Sequence, residues 1–194
     1  MRLPLEILTD RLVLRAWREE DAVALCPILE ANFDHLGPWI PARVSTPAPA
    51  PELEKRLAGF AADFAADREW RYALHAREDG RLLGEAGLFP RSPAGRVPFS
   101  EADRVELGYW IRRDAAGEGF VAEASRALVA LVTSIREFSL VEVRCDARNL
   151  PSAAIPRRLG FGLVNTIESP SVTDGEPPVQ FQVWSLDLAA MRDA

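Results

Sequence analysis

Apolar positions along the chain follow two periods, and the switches between them outline the elements. Leu12, Leu14 and Ala16 alternate with Val13, Arg15 and Trp17, the period of a strand. The acidic run R-E-E-D at 18–21 suits a helix start, and Ala22, Leu25, Ile28 and Leu29 follow at helical spacing. Pro27 lies inside that stripe and should kink or divide the helix, because it has no N–H to donate. Residues 32–51 read as an irregular, proline-rich surface loop. Pro51 then opens a helix where a missing N–H costs nothing, with Leu53, Leu57, Phe60 and Phe64 as its apolar stripe. Trp70, Tyr72, Leu74 and Ala76 alternate again, Asp79-Gly80 marks a hairpin turn, and residues 82–89 form the partner strand. Residues 90–103 read as a polar, mobile loop.

The next strand covers residues 105–111, a turn covers 112–116, and Gly117 and Gly119 follow. A helix from Gly117 to about Glu137 carries Val121, Ala124, Leu128, Leu131 and Ile135 on one stripe. Residues 140–145 form a strand with Val141, Val143 and Cys145 facing one way. Residues 149–158 suit a short helix with Pro151 in its first turn, a bend at Pro156 and Gly160 as the C-terminal cap. Residues 161–167 and 179–186 make a last strand pair, joined by a loop at 169–178. Antiparallel strands come first and one strand-helix-strand crossover lies in the middle. That order implies a single α+β domain over residues 1–194, with a mixed, mostly antiparallel central sheet and helices on both faces.

Composition narrows the function classes. A chain of 194 residues, 48% hydrophobic and 27% charged, can bury a substantial core. A net charge of −6 argues against non-specific nucleic-acid binding and favours cationic partners. No stretch approaches a membrane span, and Glu6 and Asp10 interrupt the start, so neither a membrane nor a signal peptide is expected. Cys26 and Cys145 are isolated, which fits a reducing cytoplasm; His35 and His75 stand alone, so no metal is expected.

The candidate chemistry sits at the strand, glycine loop and helix start over residues 105–128. A helix start leaves backbone N–H groups unpaired and adds partial positive charge, which suits a phosphate. Glycines let the backbone approach that anion closely. No G-K-[ST] follows, so this is not a Walker loop; Ala122 at the third position excludes the dinucleotide G-x-G-x-x-G. An ordinary turn with glycines has the same local pattern.

E-L-G-Y-W-I at 106–111 and G-E-G-F-V-A-E-A-S-R-A-L at 117–128 resemble the acetyl-CoA motif of GNAT N-acetyltransferases, in particular the RimJ/RimL type. N-L-P-S at 149–152 with L-G-F at 159–161 resembles a second family motif, and L-T-D-R-L-V-L-R at 8–15 resembles its front. The resemblance implies the GNAT acyl-CoA N-acyltransferase fold, and direct transfer of acetyl from acetyl-CoA to a primary amine in a ternary complex, without metal. The acceptor it implies is a protein N-terminus or a small amine, and a homodimer is among the assemblies it allows. It places the coenzyme on Trp110, Ile111, Arg112, Gly117, Glu118, Gly119, Phe120, Val121, Asn149, Ser152 and Arg157. The family loop is [QR]-x-x-G-x-[GA]; here Ala116 and Val121 depart from it, so Arg112 or Arg113 would have to supply the charge.

The implied catalytic residues are Glu106 and Ser152. Glu106 shares a strand face with Gly108 and Trp110 and fits either a general base or a solvated residue paired with arginine; Glu85 is the competing carboxylate. Family members often place a tyrosine where Pro156 stands, and Ser152 is the nearest replacement for a hydrogen bond to the coenzyme sulfur. Asn149 and Ser152 equally fit helix capping alone. H-L-G-P-W-I-P at 35–41 resembles the border of an acceptor pocket, and Trp39 fits that role or a core anchor. The departures at Ala116, Val121 and Pro156 keep a second reading open, a non-catalytic acyl-CoA-binding module.

Overall fold

The computed structural model describes residues 3–171 and 175–192. Its strands are β1 (Glu6–Leu8), β2 (Leu12–Ala16), β3 (Trp70–Ala76), β4 (Leu82–Ser92), β5 (Gly95–Arg96), β6 (Arg104–Ile111), β7 (Leu140–Asp146), β8 (Gly162–Ser169) and β9 (Val179–Asp187). They form one nine-stranded sheet in the order β1-β2-β3-β4-β6-β7-β9-β8, with β5 paired to β4 off that path. All pairings are antiparallel except β6 with β7. The helices are α1 (Ala22–Leu36), α2 (Ala42–Ser45), α3 (Ala50–Ala65), α4 (Phe120–Ile135), α5 (Leu150–Arg158) and α6 (Leu188–Arg192).

Strand alternation divides the apolar side chains between the two faces of this sheet. On one face Leu14, Leu74, Val105, Leu107 and Val141 pack with Ala124, Leu128 and Val132 of α4. On the other, Ala73 and Trp110 pack with Leu25 and Leu29 of α1 and Leu53, Leu57 and Phe60 of α3. Helices therefore cover both faces, as the order of elements implies. β4 and β6 are held close at Gly84, where an added Cβ would lie 2.2 Å from the Trp110 carbonyl oxygen.

Several local expectations need correction. Pro27 does not divide α1, which runs unbroken over Ala22–Leu36. The carbonyl that loses its bond belongs to Val23, a residue 70% exposed in the first turn, where water can replace the missing donor. The stretch at 32–51 holds the end of α1 and all of α2. Residues 90–103 are not a free loop: β4 continues to Ser92 and turns back into β5 through Arg91↔Arg96 and Ser92↔Gly95. α4 starts at Phe120, three residues after Gly117. Its buried stripe runs through Ala122, Ala124, Ser125, Leu128, Val129 and Val132, so Val121 is released toward the cavity described below. Part of the loop expected at 169–178, residues 172–174, lies outside the described residues.

One feature of the sheet positions everything that follows. The parallel pair β6 and β7 is joined only at Arg104↔Leu140, Val105↔Val141 and Glu106↔Glu142. Beyond those residues both strands continue, to Ile111 and Asp146, without pairing to each other. The sheet parts there.

Candidate active site

A cavity of about 680 Å³ fills the parting, lined by residues 107–111 of β6 and 143–146 of β7. One mouth is bordered by Ala116, Gly117, Val121, Asn149 and Ser152, the other by Trp39, Arg43, Arg71, Glu85, Arg96 and Glu106. Trp39 lines the cavity and is half-buried. The N–H of Arg112 donates to the Leu83 carbonyl at 2.8 Å, so residue 112 turns its backbone toward β4. Antiparallel alternation then turns the N–H groups of Ile111 and Tyr109 toward the cavity and that of Trp110 away. Ile111 therefore presents its backbone N–H to the cavity, and Trp110, which also lines it, does not.

At the first mouth the glycine loop has the form its sequence suggests. Gly117 and Gly119 have φ of +87° and +85°, values that favour glycine. No N–H between residues 117 and 122 donates to a backbone acceptor among the described residues, and the first α4 bond is from Glu123 N–H to the Gly119 carbonyl. These free donors at the start of a 16-residue helix suit a diphosphate.

The loop is held by residues that sequence reasoning did not single out. Glu123 accepts from Thr9 Oγ1 at 2.6 Å, from the Arg11 N–H at 2.8 Å and from Arg11 Nε at 2.7 Å. Arg11 also donates to the Glu118 carbonyl at 3.0 Å and lies over the Phe120 ring. The only hint in the sequence was the match of 8–15 to the family's front, which gives no contact across 112 residues.

Burial opposes the charge of Glu123, but the bonds from Thr9 and Arg11 outweigh it and hold its pKa below the ordinary 4.5. A depressed carboxylate stabilises the fold above its unfolded pKa and loses that contribution as pH falls through the folded one. Glu123→Gln is therefore expected to cost about 1–2 kcal/mol at pH 7. The gap from the parent should shrink below about pH 4.5 in denaturant titrations. A gap independent of pH would contradict this clamp.

At the second mouth, charged groups from four strands interlock. Glu106 accepts from Arg91 at 2.6 Å and from Arg96 at 3.4 Å, one guanidinium on each oxygen. Its side chain is 14% exposed, so it is neither solvated nor free. Glu85 is buried, accepting from Trp17 Nε1 and Arg71 Nη1, both at 2.7 Å. Arg71 also pairs with Glu69, which in turn meets Arg43 and Arg96. Burial raises the cost of the Glu69 charge, yet Arg71 and Arg43 hold its pKa below the ordinary value.

Between the mouths, α5 meets β6. Asn149 caps α5 by accepting from the Ser152 N–H at 3.1 Å. Pro156 does not interrupt α5, and it cannot donate to the Ser152 carbonyl four residues earlier. That carbonyl instead accepts from the Tyr109 hydroxyl at 2.9 Å, and Ser152 Oγ stands 3.5 Å from the same hydroxyl. Tyr109 lines the cavity. Burial pushes its phenol above the ordinary value, so it stays protonated at neutral pH. Burial likewise pushes the Cys145 thiol up, which disfavours it as a nucleophile.

Not every implied residue reaches the cavity. Gly117, Val121, Trp110, Ile111, Asn149, Ser152 and Glu106 line it, whereas Arg112, Glu118, Gly119, Phe120 and Arg157 do not. Gly119 and Phe120 stand at the start of α4, with N–H groups that meet no backbone acceptor among the described residues. Arg112 is turned to Asp114 and the Leu82 carbonyl, and Arg157 lies over Trp184. Arg113, the other arginine suggested for the charge missing at Ala116, is exposed and does not line the cavity either. Among the described residues no His, Cys, Asp or Glu cluster suits a metal, and no helix is long and apolar enough to cross a membrane.

A mixed sheet whose parallel pair parts around a through-going cleft, with free amides at one mouth and paired charges at the other, is the architecture of an acyl-CoA acyltransferase. Residues 11–162 match the model of the acetyltransferase (GNAT) domain family. The chain belongs to that family and is an acetyl-CoA-dependent N-acetyltransferase. It is 27% identical over 158 residues to YdaF of Bacillus subtilis (strain 168), whose name marks it as a candidate ribosomal N-acetyltransferase, covering 78% of each chain. Among solved structures it is similar to RimL, a ribosomal L7/L12 alpha-N-protein acetyltransferase in complex with coenzyme A. The TM-score is 0.78 at 18% identity, over 96% of this chain and 98% of that one. It is also similar to the Microcin C7 self-immunity acetyltransferase MccE in complex with acetyl-CoA and AMP, with TM-score 0.82 at 15% identity over 95% and 97%. At these identities the two structures speak to the fold alone.

Proposed function

We propose that this acetyltransferase acts on a primary amine entering at the Trp39 and Glu106 mouth, while acetyl-CoA enters at the Gly117 mouth. The carrying observation is the free N–H run at residues 117–122 opening onto a cavity that crosses the sheet. Acetyl-CoA supplies the acetyl group as a thioester. The loop amides hold its diphosphate, and the Ile111 N–H, turned into the cleft, donates to the carbonyl oxygen as that oxygen gains charge. Glu106 takes the proton from the ammonium, directly or through a water. The protonated Tyr109 hydroxyl turns its single O–H from the Ser152 carbonyl to the departing sulfur, while its oxygen accepts from Ser152 Oγ. Both reactants meet in the cleft at once, so no covalent enzyme intermediate is needed. The names of YdaF and RimL support a protein N-terminus as acceptor, and the cleft equally admits a small amine.

The test is a coupled coenzyme-release screen across peptide N-termini and small amines. Turnover with at least one acceptor is expected; binding of acetyl-CoA without turnover of any would instead favour an acyl-CoA-binding module. With a working acceptor, Tyr109→Phe should lower kcat about 10²-fold, and Ser152→Ala should cost less. A Tyr109→Phe enzyme with parental kcat and an inactive Ser152→Ala enzyme would move the proton-donor role to the serine.

A further inference from the structure

The acceptor mouth holds a guanidinium that forms no hydrogen bond or ion pair with any described residue. The register Glu106↔Glu142 sets Glu142, Arg144 and Asp146 of β7 on the sheet face that carries Glu106. The carboxylates there are already taken. Arg91 and Arg96 occupy Glu106, Arg104 donates to Glu142 at 2.8 Å, and Arg148 holds Asp146 at 2.7 Å. Arg144 lines the cavity, is half-buried, and has no hydrogen bond or ion pair with any described residue. Burial and the facing Arg91 lower its pKa, and Arg104 adds to this; Glu106 and Glu142 only partly offset them. Its positive charge is under-compensated in a chain whose net charge is −6.

An unpartnered guanidinium facing a cavity calls for an oxygen anion, and the planar fork of Arg144 suits a carboxylate in particular.

Building on the proposed transfer to an amine, we propose that the acceptor carries a carboxylate near its amino group, which pairs with Arg144 while the amine reaches Glu106. The carboxylate is that of an acidic residue following the N-terminal one, or the α-carboxylate of a free amino acid. Two matched pairs separate these sources: Ser-Glu-Ala amide against Ser-Gln-Ala amide, and serine against serinamide.

In at least one pair the acid should exceed its neutral partner about tenfold in kcat/KM. Arg144→Gln should bring that ratio to about one, and Arg144→Lys should keep most of it. Ratios near one in the parent, or a ratio that survives Arg144→Gln, overturn the proposal. Titration of the same four ligands onto the CoA-loaded protein, read by tryptophan fluorescence, decides the matter even if none is turned over. Tighter binding of the acid, lost in Arg144→Gln, supports the carboxylate site while the transfer reading fails; equal binding or none overturns the site.

Discussion

Glu106→Gln is expected to lower kcat by about 10²-fold or more, the usual contribution of a positioned general base. The change preserves shape and leaves one oxygen to accept from Arg91 or Arg96, so it removes the charge with little loss of packing. The KM for acetyl-CoA should move far less, because the loop amides lie at the opposite mouth. Steady-state coenzyme release at saturating acceptor, with a separate coenzyme titration, reads both quantities. A parental kcat would make Glu106 a structural partner of the two arginines. Both carboxylates are paired with arginine; what sets Glu85 apart is its deeper burial, 5% side-chain exposure against 14% for Glu106.

Arg71→Ala is expected to be the more damaging change for folding, by about 3–5 kcal/mol. The Arg71 side chain is 4% exposed, lies 4.5 Å from the Phe60 ring centre and 4.7 Å from that of Phe89, and binds Glu85 at 2.7 Å. Alanine would leave Glu85 a buried carboxylate with only the Trp17 indole as donor. Urea titration of the parent and variant measures the loss, and an unchanged midpoint would contradict the picture. The double variant Arg71→Met, Glu85→Gln should recover part of it, since removing both charges ends the desolvation cost while Met keeps the volume. No recovery would assign the loss to ring packing.

The comparison of residues with structure shows where local pattern is enough. The stripe Leu53, Leu57, Phe60 and Phe64 is wholly buried, the Asp79-Gly80 turn joins β3 to β4, and Asn149 caps α5. Each of these is decided by neighbours a few residues away. What was not legible depends on distant register. The parting of β6 from β7 follows from where pairing stops at Glu106↔Glu142, and no periodicity within either strand marks that point. The Thr9–Arg11–Glu123 clamp and the Arg71–Glu85 pair join separate elements in the same way. Tyr109 alternates with Gly108 and Trp110 on its strand, yet its hydroxyl matters because Pro156 frees a carbonyl on another element. Sequence proximity to the loop and helix suggests phosphate contacts for Arg112 and Arg157; in the structure Arg112 meets Asp114 and Arg157 lies over Trp184, contacts that no local pattern announces.

In the proposed reaction, coenzyme and acceptor enter the parted sheet from opposite faces. A crystal structure of the protein with coenzyme A tests this most directly. Diphosphate oxygens are expected within about 3 Å of the N–H groups of residues 117–122. The sulfur is expected between β6 and β7, beside Tyr109 and Ser152. A diphosphate bound elsewhere, or a sulfur on the Glu106 side of the sheet, would contradict the proposed reaction.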